Sequence, residues 1–432
     1  PVVPIAPAQR RIFAAVADGV GADWNVPFAL RLSGDLDVAS LRSALVDVAG
    51  RHEALRTTYR NVGAEPELVV TDIDDLRAMM DRDVDPVAVD AAELSRVVDA
   101  IAWSPLEFDG IAPLRIRLLR LDEQTHVLVV VSHHLNVDGQ SMSLLIRDMV
   151  LAFAARGGGA VPELPDPGVR YRDYAHRQRH VLGSPSAPSA EARRQIDYWT
   201  ARFAGPSDGF RPRLRTDRPR PQRWNPMGEA IEFAVAPAVH AALDDLAATR
   251  SVALFSLLQA AFAVILADRA DHPDVHVATA NANRPQAELA GVVGNFSEDL
   301  PMRLHVGDGR TIGEVIADVH DQLVGGLRHP DVSAPELVAA LGLPNSPGEH
   351  PLFPATLIVQ PAPEAGVDAE LDLGAVRVRR EPIARVVAKH EMEITMLERR
   401  TDGAAAGVTG TLMYPVALFD RATAESVVAG FR

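Results

Sequence analysis

Gln124 to Ser132 reads QTHVLVVVS, an unbroken run rich in β-branched residues. A strand with one wet face alternates apolar and polar residues, and this run does not, so it must be covered on both sides. HHLNVDG follows at once, from His133 to Gly139, and Ser141 to Ala155 then resumes helical periodicity. The seven residues therefore occupy a strand-to-helix loop, where rigid flanks can aim side chains into a cleft.

The same grammar recurs along the chain. Val38 to Arg51 (VASLRSALVDVAGR) reads as an amphipathic helix, and another helical segment begins at Tyr171. Further on, Gly228 to Val235 alternates like a strand, Pro237 to Arg250 reads as a helix, and Ser251 to Arg269 as a long apolar one. Asp274 to Ala280, Ala355 to Gln360 and Glu393 to Glu398 read as strands. Alternating strands and helices in both halves give a mixed α/β class. At 432 residues the chain exceeds the roughly 100–200 that one core serves, so two related lobes are expected. Breaks rich in Gly and Pro at Gly157 to Gly168 and Gly205 to Pro226 put the boundary near residue 180. Residues 1–180 then carry the HHLNVDG segment, and 181–432 form the second lobe. The Gly157-Gly158-Gly159 run is not a phosphate loop, because the Lys-Ser/Thr ending is missing.

Composition removes several function classes. The formal net charge is -15 and no long basic run occurs, which argues against nucleic acid or an anionic membrane as partner. The local basic stretch Arg211 to Arg223 reads as a solvated linker. With no cysteine, disulfides, thiolate nucleophiles and Cys-based zinc sites are excluded. No signal-peptide pattern opens the chain, and the longest apolar stretch, Val252 to Leu266, is too short to span a bilayer. The expectation is a soluble cytoplasmic protein.

Three chemistries compete for the loop. A metal is disfavoured, because His133 and His134 are neighbours at a strand end and point in opposite directions. The chain also lacks HExxH: His52-Glu53 and His390-Glu391 have no second His. A nucleophilic triad on Ser132 or Ser141 is weakened by the absence of a G-x-S-x-G elbow. Proton transfer is the third, since a positioned imidazole accepts a proton near neutral pH. Plainer roles compete with all three: a His pair satisfied in the core, Asp138 as the cap of the following helix, Gly139 as a turn residue.

HHLNVDG matches the HHxxxDG motif of the condensation domains of nonribosomal peptide synthetases, and other segments resemble that family in order. They are PIAPAQRRIF near the start, RHEALRT (Arg51 to Thr57), RYRDYAHRQR (Arg170 to Arg179) and YWTARFAG (Tyr198 to Gly205). Arg284-Pro285, Gly294-Asn295-Phe296 and HPDVSAPEL (His329 to Leu337) continue the series. The resemblance implies two chloramphenicol-acetyltransferase-like lobes in a V-shaped pseudo-dimer with a central tunnel. It implies transfer of an acyl or aminoacyl group from a carrier-protein phosphopantetheine thioester to an amine or hydroxyl, with no intrinsically bound cofactor and no metal. His134 would be the base or positioning group, and His133 would support the loop. Asp138 would brace it through an ion pair to Arg284, and Gly139 would leave room and a backbone N–H beside the reacting centre. The partners would be an acyl or peptidyl carrier protein and a small-molecule or carrier-bound acceptor.

This sequence departs from the family at Gln140, where an aromatic residue is usual, and at Phe296-Ser297-Glu298-Asp299 in place of F-V-N-T. The strand before Arg284 reads ATANAN, and Ala388 to Thr395 keeps only a loose likeness. The acceptor side is therefore where this chain is expected to differ, with Gln140, Ser141, Asn295 and Ser297 as candidate lining residues and ester as well as amide products. Two rivals share the motif: epimerisation of a carrier-bound aminoacyl group, and a non-catalytic docking domain.

Overall fold

The structure, a computed structural model, describes residues 3–17, 21–62, 65–108, 110, 112–204, 213–307, 309–344, 348–362 and 370–432. Part of the expected linker, residues 205–212, lies outside the described residues. Two compact units emerge. The first comprises Pro1–Glu191, Ala282–Ser297 and Ala365–Ala384; the second comprises Ala192–Asn281, Glu298–Glu364 and Arg385–Arg432. This differs from a single cut near residue 180, because two later segments return to the first unit.

The first unit is built on a six-stranded sheet ordered Leu371–Asp372, Val376–Arg380, Asn25–Gly34, Thr125–His133, Leu114–Arg120, Val87–Ala88. Thr125–His133 is the expected buried strand. It lies centrally and antiparallel to both neighbours, with His133 opposite Asn25 and Ser132 opposite Leu114. Its two faces enter different cores. Val127, Val129 and Val131 pack with Leu94, Val98 and Leu106, whereas Leu128 and Val130 pack with Leu41, Leu45, Leu145 and Met149. Helices on both faces explain the unbroken apolar run in a strand that is not parallel to its neighbours. The returning strand Val376–Arg380 adds Val376 and Val378 to the second of these cores.

The helix Val38–Arg51 has the bounds its periodicity predicts, opened by the Asp37 side chain accepting from Ala39 N–H. Its partner Gly139–Gly157 begins two residues before the sequence pattern, because Asp138 caps it. The two helices are stapled around the buried Asp148, which receives His52 Nε2 and Arg51 Nε at 2.8 Å each and the exposed Arg147 through Nη2 at 2.8 Å. Burial opposes the Asp148 charge, but the His52 and Arg147 hydrogen bonds and the Arg51 charge outweigh it and hold the carboxyl below its ordinary range.

The second unit carries a seven-stranded mixed sheet. Its order is Glu298–His305, Asp274–Asn281, Ala355–Pro361, Met392–Thr401, Ala404–Pro415, Met227–Val235, Val386–Val387. The adjacent strands Asp274–Asn281, Ala355–Pro361 and Met392–Thr401 run parallel to one another. Helices Pro237–Arg250, Leu254–Ala270, Ile312–Leu327 and Arg421–Phe431 contribute to its main core with Val277, Leu357, Ile394 and Leu412. The long apolar helix starts at Leu254 rather than Ser251. Ser251 is left-handed (φ 55°) and closes the preceding helix, its N–H bonding back to Ala247 and Ala248. Among the described residues no single helix is long and apolar enough to cross a bilayer.

Candidate active site

The HHLNVDG loop leaves the sheet as a tight turn in which Asn136 and Val137 N–H both bond back to the His133 carbonyl. His133 itself is fully buried. Its Nδ1 accepts from Leu135 N–H at 3.2 Å, so its Nε2 carries the hydrogen and donates to the Gly21 carbonyl at 3.0 Å. The ring meets Phe108 edge-on at 4.7 Å. Both ring nitrogens are thereby committed.

The interior of the loop is pinned by segments that look unrelated in sequence. Asn136 donates to the carbonyls of Ala54 (2.6 Å) and Thr57 (2.7 Å), the RHEALRT segment. The Tyr59 hydroxyl meets Asn136 Oδ1 at 2.6 Å and the Leu135 carbonyl at 2.9 Å. Gln9, from the opening segment, donates to Tyr59 Oη at 2.9 Å and to the Leu135 carbonyl at 2.8 Å. Burial pushes the Tyr59 phenol well above its ordinary range, so it stays a donor. Sequence reasoning gave no role to Gln9, Tyr59 or Asn136. The available signal was an amide in an otherwise apolar buried loop, where an unpaired amide would be costly.

Asp138 is 1% exposed and receives five hydrogen bonds. Oδ1 accepts from Ser141 N–H (2.9 Å), the Ser141 hydroxyl (2.8 Å) and Arg284 Nη2 (3.0 Å), while Oδ2 accepts from Arg284 Nη1 (2.7 Å) and Phe296 N–H (3.1 Å). Cap and ion pair, rival readings of this residue, are thus both made by one carboxylate. The Arg284 guanidinium also lies 4.1 Å from the Phe296 ring centroid. Arg284 belongs to the segment Ala282–Ser297 and hence to the first unit, so this pair is internal to that unit rather than a joint between lobes.

The same segment explains the Gly294-Asn295-Phe296 block. A Cβ on Gly294 would sit 1.9 Å from Cδ2 of Tyr171, so only glycine lets that ring lie there. Tyr171, from RYRDYAHRQR, donates its hydroxyl to the Asn295 carbonyl and packs edge-on against Phe296 at 5.0 Å. Asn295 and Ser141, candidates for lining an acceptor path, are both fully buried. Ser141 Oγ bonds Asp138, receives Gly294 N–H (3.1 Å) and Arg284 Nη2 (3.1 Å), and lies 2.8 Å from the Gly294 carbonyl. The Asn295 amide donates to the Ala8 carbonyl at 3.4 Å and its Oδ1 accepts from Ser297 Oγ at 3.2 Å. These two residues brace the loop from within, because their polar atoms are turned into the packing that holds Asp138. Ser297 is half-buried and Gln140 is exposed.

His134 is the one side chain of the motif before Gly139 that keeps appreciable exposure; its neighbours from His133 to Asp138 are buried. Its N–H is anchored to the Trp24 carbonyl at 2.9 Å, and its ring meets the Trp24 ring edge-on at 5.7 Å. Arg11 covers that tryptophan, its guanidinium 5.0 Å from the ring centroid. Gly139 is exposed, and a Cβ there would meet nothing within 4 Å, so the space before the helix N-terminus is open. Ser132 and Ser141, the possible nucleophiles, are 2% and 0% exposed, which places neither hydroxyl where a substrate reaches it.

Among the described residues one His/Asp/Glu group is close enough to hold a metal: His240, Asp244 and Glu398, in the second unit. His240 Nδ1 accepts from Gly407 N–H, leaving its hydrogen on Nε2 facing Glu398, and Arg400 pairs with both carboxylates. That is an ion-pair network rather than a set of open ligands.

The condensation-domain family model matches residues 1–432. The chain belongs to the condensation-domain family. It is 32% identical over 99% of its length to a probable non-canonical nonribosomal peptide synthetase, CymA, of Salinispora arenicola. A dimodular nonribosomal peptide synthase of Bacillus subtilis is 31% identical over 98% of the chain. The chain spans 5% and 18% of those two relatives, so it corresponds to one domain of each. Among solved structures it resembles the X-domain from teicoplanin biosynthesis, with a TM-score of 0.87 and 27% identity, covering 100% of this chain and 94% of that one. The first condensation domain of the CDA synthetase shares the fold, with a TM-score of 0.71 and 19% identity over 100% and 96% of the chains. The fold is therefore the chloramphenicol-acetyltransferase-like fold of condensation domains. Domains of this family act with carrier proteins in multidomain synthetases, where substrates arrive on phosphopantetheine and amide bonds are formed.

Proposed function

We propose that this chain transfers an acyl or aminoacyl group from a carrier-protein thioester to an amine or hydroxyl acceptor, with His134 as the group that meets the acceptor. The observation that carries the reading is the division of labour in the loop. Every motif residue from His133 to Asp138 except His134 is buried, and the polar ones are committed to internal hydrogen bonds. His134 alone keeps partial exposure, its N–H anchored to the Trp24 carbonyl.

In the proposed reaction the acceptor nitrogen or oxygen attacks the thioester carbonyl, the C–S bond breaks, and the pantetheine sulfur leaves as a thiol. His134 accepts a hydrogen bond from the nucleophile and receives its proton, which is then available to the departing sulfur. Gly139 leaves room for the acyl carbon, and the N-terminal end of its helix offers backbone N–H groups toward the developing oxyanion. Asp138, Arg284, Ser141 and His133 act as positioning residues.

The test is incubation with an aminoacyl-loaded carrier protein and paired amine and alcohol acceptors. Product formation that falls by about 10²-fold or more in His134→Ala, with folding intact, supports the reading. A second reading is docking without turnover, favoured by the likeness to the teicoplanin X-domain, which has been solved in complex with OxyB at 26% identity to this chain. Carrier binding without product, unchanged by His134→Ala, would select it.

A further inference from the structure

The 3₁₀ turn Ala22–Trp24, which leads into the strand Asn25–Gly34, touches both histidines of the motif. The Gly21 carbonyl that opens it accepts Trp24 N–H at 3.1 Å and His133 Nε2–H at 3.0 Å. The Trp24 carbonyl accepts His134 N–H at 2.9 Å, and the Trp24 and His134 rings meet at 85° with their centroids 5.7 Å apart. One short turn therefore fixes the buried imidazole by a hydrogen bond and meets the half-buried one with an aromatic ring. Asn25 anchors the far end of the turn, its amide donating to the carbonyls of Ala102 at 2.8 Å and Ser104 at 3.0 Å.

The indole is held in turn by the helix Pro7–Ala17, whose Arg11 places its guanidinium 5.0 Å from the Trp24 ring centroid. Tryptophan offers a cation the best of the aromatic faces. The same helix is registered to the motif loop at two further points. Gln9 donates to the Leu135 carbonyl and to Tyr59 Oη, and the Ala8 carbonyl accepts from the Asn295 amide. Ile12 lies in the core that also takes in Leu135 and Phe296, and Trp24 packs on the edge of that core. All of these residues belong to the first unit. Arg11 therefore stands on an element whose position relative to the loop is fixed by other contacts. Core packing by itself accounts for a buried apolar ring; Trp24 is instead half-buried, in contact with both a cation and the motif imidazole.

We propose that Trp24 is a positioning residue for the His134 imidazole, and that Arg11 acts on that imidazole through Trp24. This rests on the acyl-transfer reading above and names the residues that keep its reacting side chain in line. The hydrogen bond to the Trp24 carbonyl sets the His134 backbone, and the indole limits rotation of the ring about its side-chain bonds. Arg11 keeps the indole from turning away. A reacting group displaced by about 1 Å loses about 10²-fold in rate, so a contact that restricts the ring acts on turnover rather than on binding.

The experiment uses the full chain with Trp24→Leu, Trp24→Phe, Arg11→Met and the Trp24→Leu/Arg11→Met double variant, in the carrier-protein turnover assay above. Trp24→Leu is expected to lower kcat by about 10-fold or more while the acceptor KM changes by less than about threefold. Trp24→Phe, which keeps a ring, is expected to recover most of that loss. Arg11→Met is expected to lower kcat by about threefold in the Trp24 chain and to have no further effect in Trp24→Leu. A second readout needs no turnover: the rate at which diethylpyrocarbonate modifies each histidine, followed by peptide mass. Trp24→Leu is expected to speed modification of His134 by about threefold or more, with the fully buried His133 still protected. The proposal is overturned by an unchanged His134 rate, by a raised KM at constant kcat, or by an Arg11→Met effect that is the same with and without Trp24. Modification appearing at His133 in both Trp24 variants would also overturn it, since Trp24 would then hold the loop together rather than aim one ring. An unmodified chain without turnover defeats the acyl-transfer reading alone, and the modification rates then decide the positioning by themselves.

Discussion

Removing Arg284 exposes how the loop is held. In Arg284→Met the Asp138 carboxylate, 1% exposed, keeps Ser141 N–H, the Ser141 hydroxyl and Phe296 N–H but loses two charge-assisted bonds of 2.7 and 3.0 Å. An exposed ion pair treated this way costs under about 1 kcal/mol. Here both partners are withdrawn from water, with side-chain exposures of 4% and 1%, and a charge left alone in such a place costs about 3–5 kcal/mol. For a unit on the order of 200 residues that is a fall in Tm of roughly 6–20 °C. Asp138→Asn, combined with Arg284→Met, removes the stranded charge while keeping an acceptor for Ser141 N–H. The double variant should therefore be less destabilised than the sum of the singles, by about 1–3 kcal/mol. Because the chain has two units, the local readout is hydrogen exchange at the Ser141 and Phe296 amides, read alongside thermal unfolding. A loss below about 1 kcal/mol in Arg284→Met, or strict additivity in the double variant, would refute the idea that Asp138 depends on this pair.

Two further outcomes follow from the packing. Gly294→Ala places a methyl 1.9 Å from a Tyr171 ring carbon, so it should cost about 1–3 kcal/mol or more and lower turnover, and Tyr171→Ala in the same chain should recover part of the stability. His276, in the second unit, is lowered from 6.5 to about 4 by burial, with the Leu352 carbonyl partly opposing. The unfolded chain then takes up a proton there that the folded chain refuses, so stability falls as pH drops from about 6.5 to about 4, by about 3 kcal/mol in total at about 1.4 kcal/mol per pH unit. Nearby Asp274, burial notwithstanding, is held below its ordinary range by Arg303 and His305 and stays charged over most of that window. Urea unfolding across this range should lose that slope in His276→Leu; an unchanged slope would place the titration elsewhere.

Much of this was legible along the chain wherever the signal is local. Val38–Arg51 could be bounded because its cap and apolar spacing lie within one segment. The motif strand could be read as doubly covered because both of its faces are written in nine consecutive residues, Thr125–His133. Ser251 misled because a left-handed serine is invisible to periodicity. Ser141 and Asn295 misled in another way. Their positions beside the motif were right, but which way a polar side chain turns depends on partners 153 and 287 residues away, Gly294 and Ala8.

By itself, the sequence determined the mixed α/β class, the family motif on which the proposed chemistry rests, and the candidate pair of Asp138 with Arg284. These are properties of residue type, spacing and family pattern. Only the tertiary structure decided that one carboxylate is both helix cap and ion-pair partner, and that Arg284 lies in the first unit. It alone showed that Gln9, Tyr59 and Asn136 lock the loop from below, while His134 stays half-buried with its ring against Trp24. The physical reason is that buried polar atoms must be paired, and their partners are chosen by three-dimensional proximity that no local pattern encodes. HHLNVDG read along the chain names a motif; folded, it is five buried residues and one half-buried imidazole, with Gly139 open at its end.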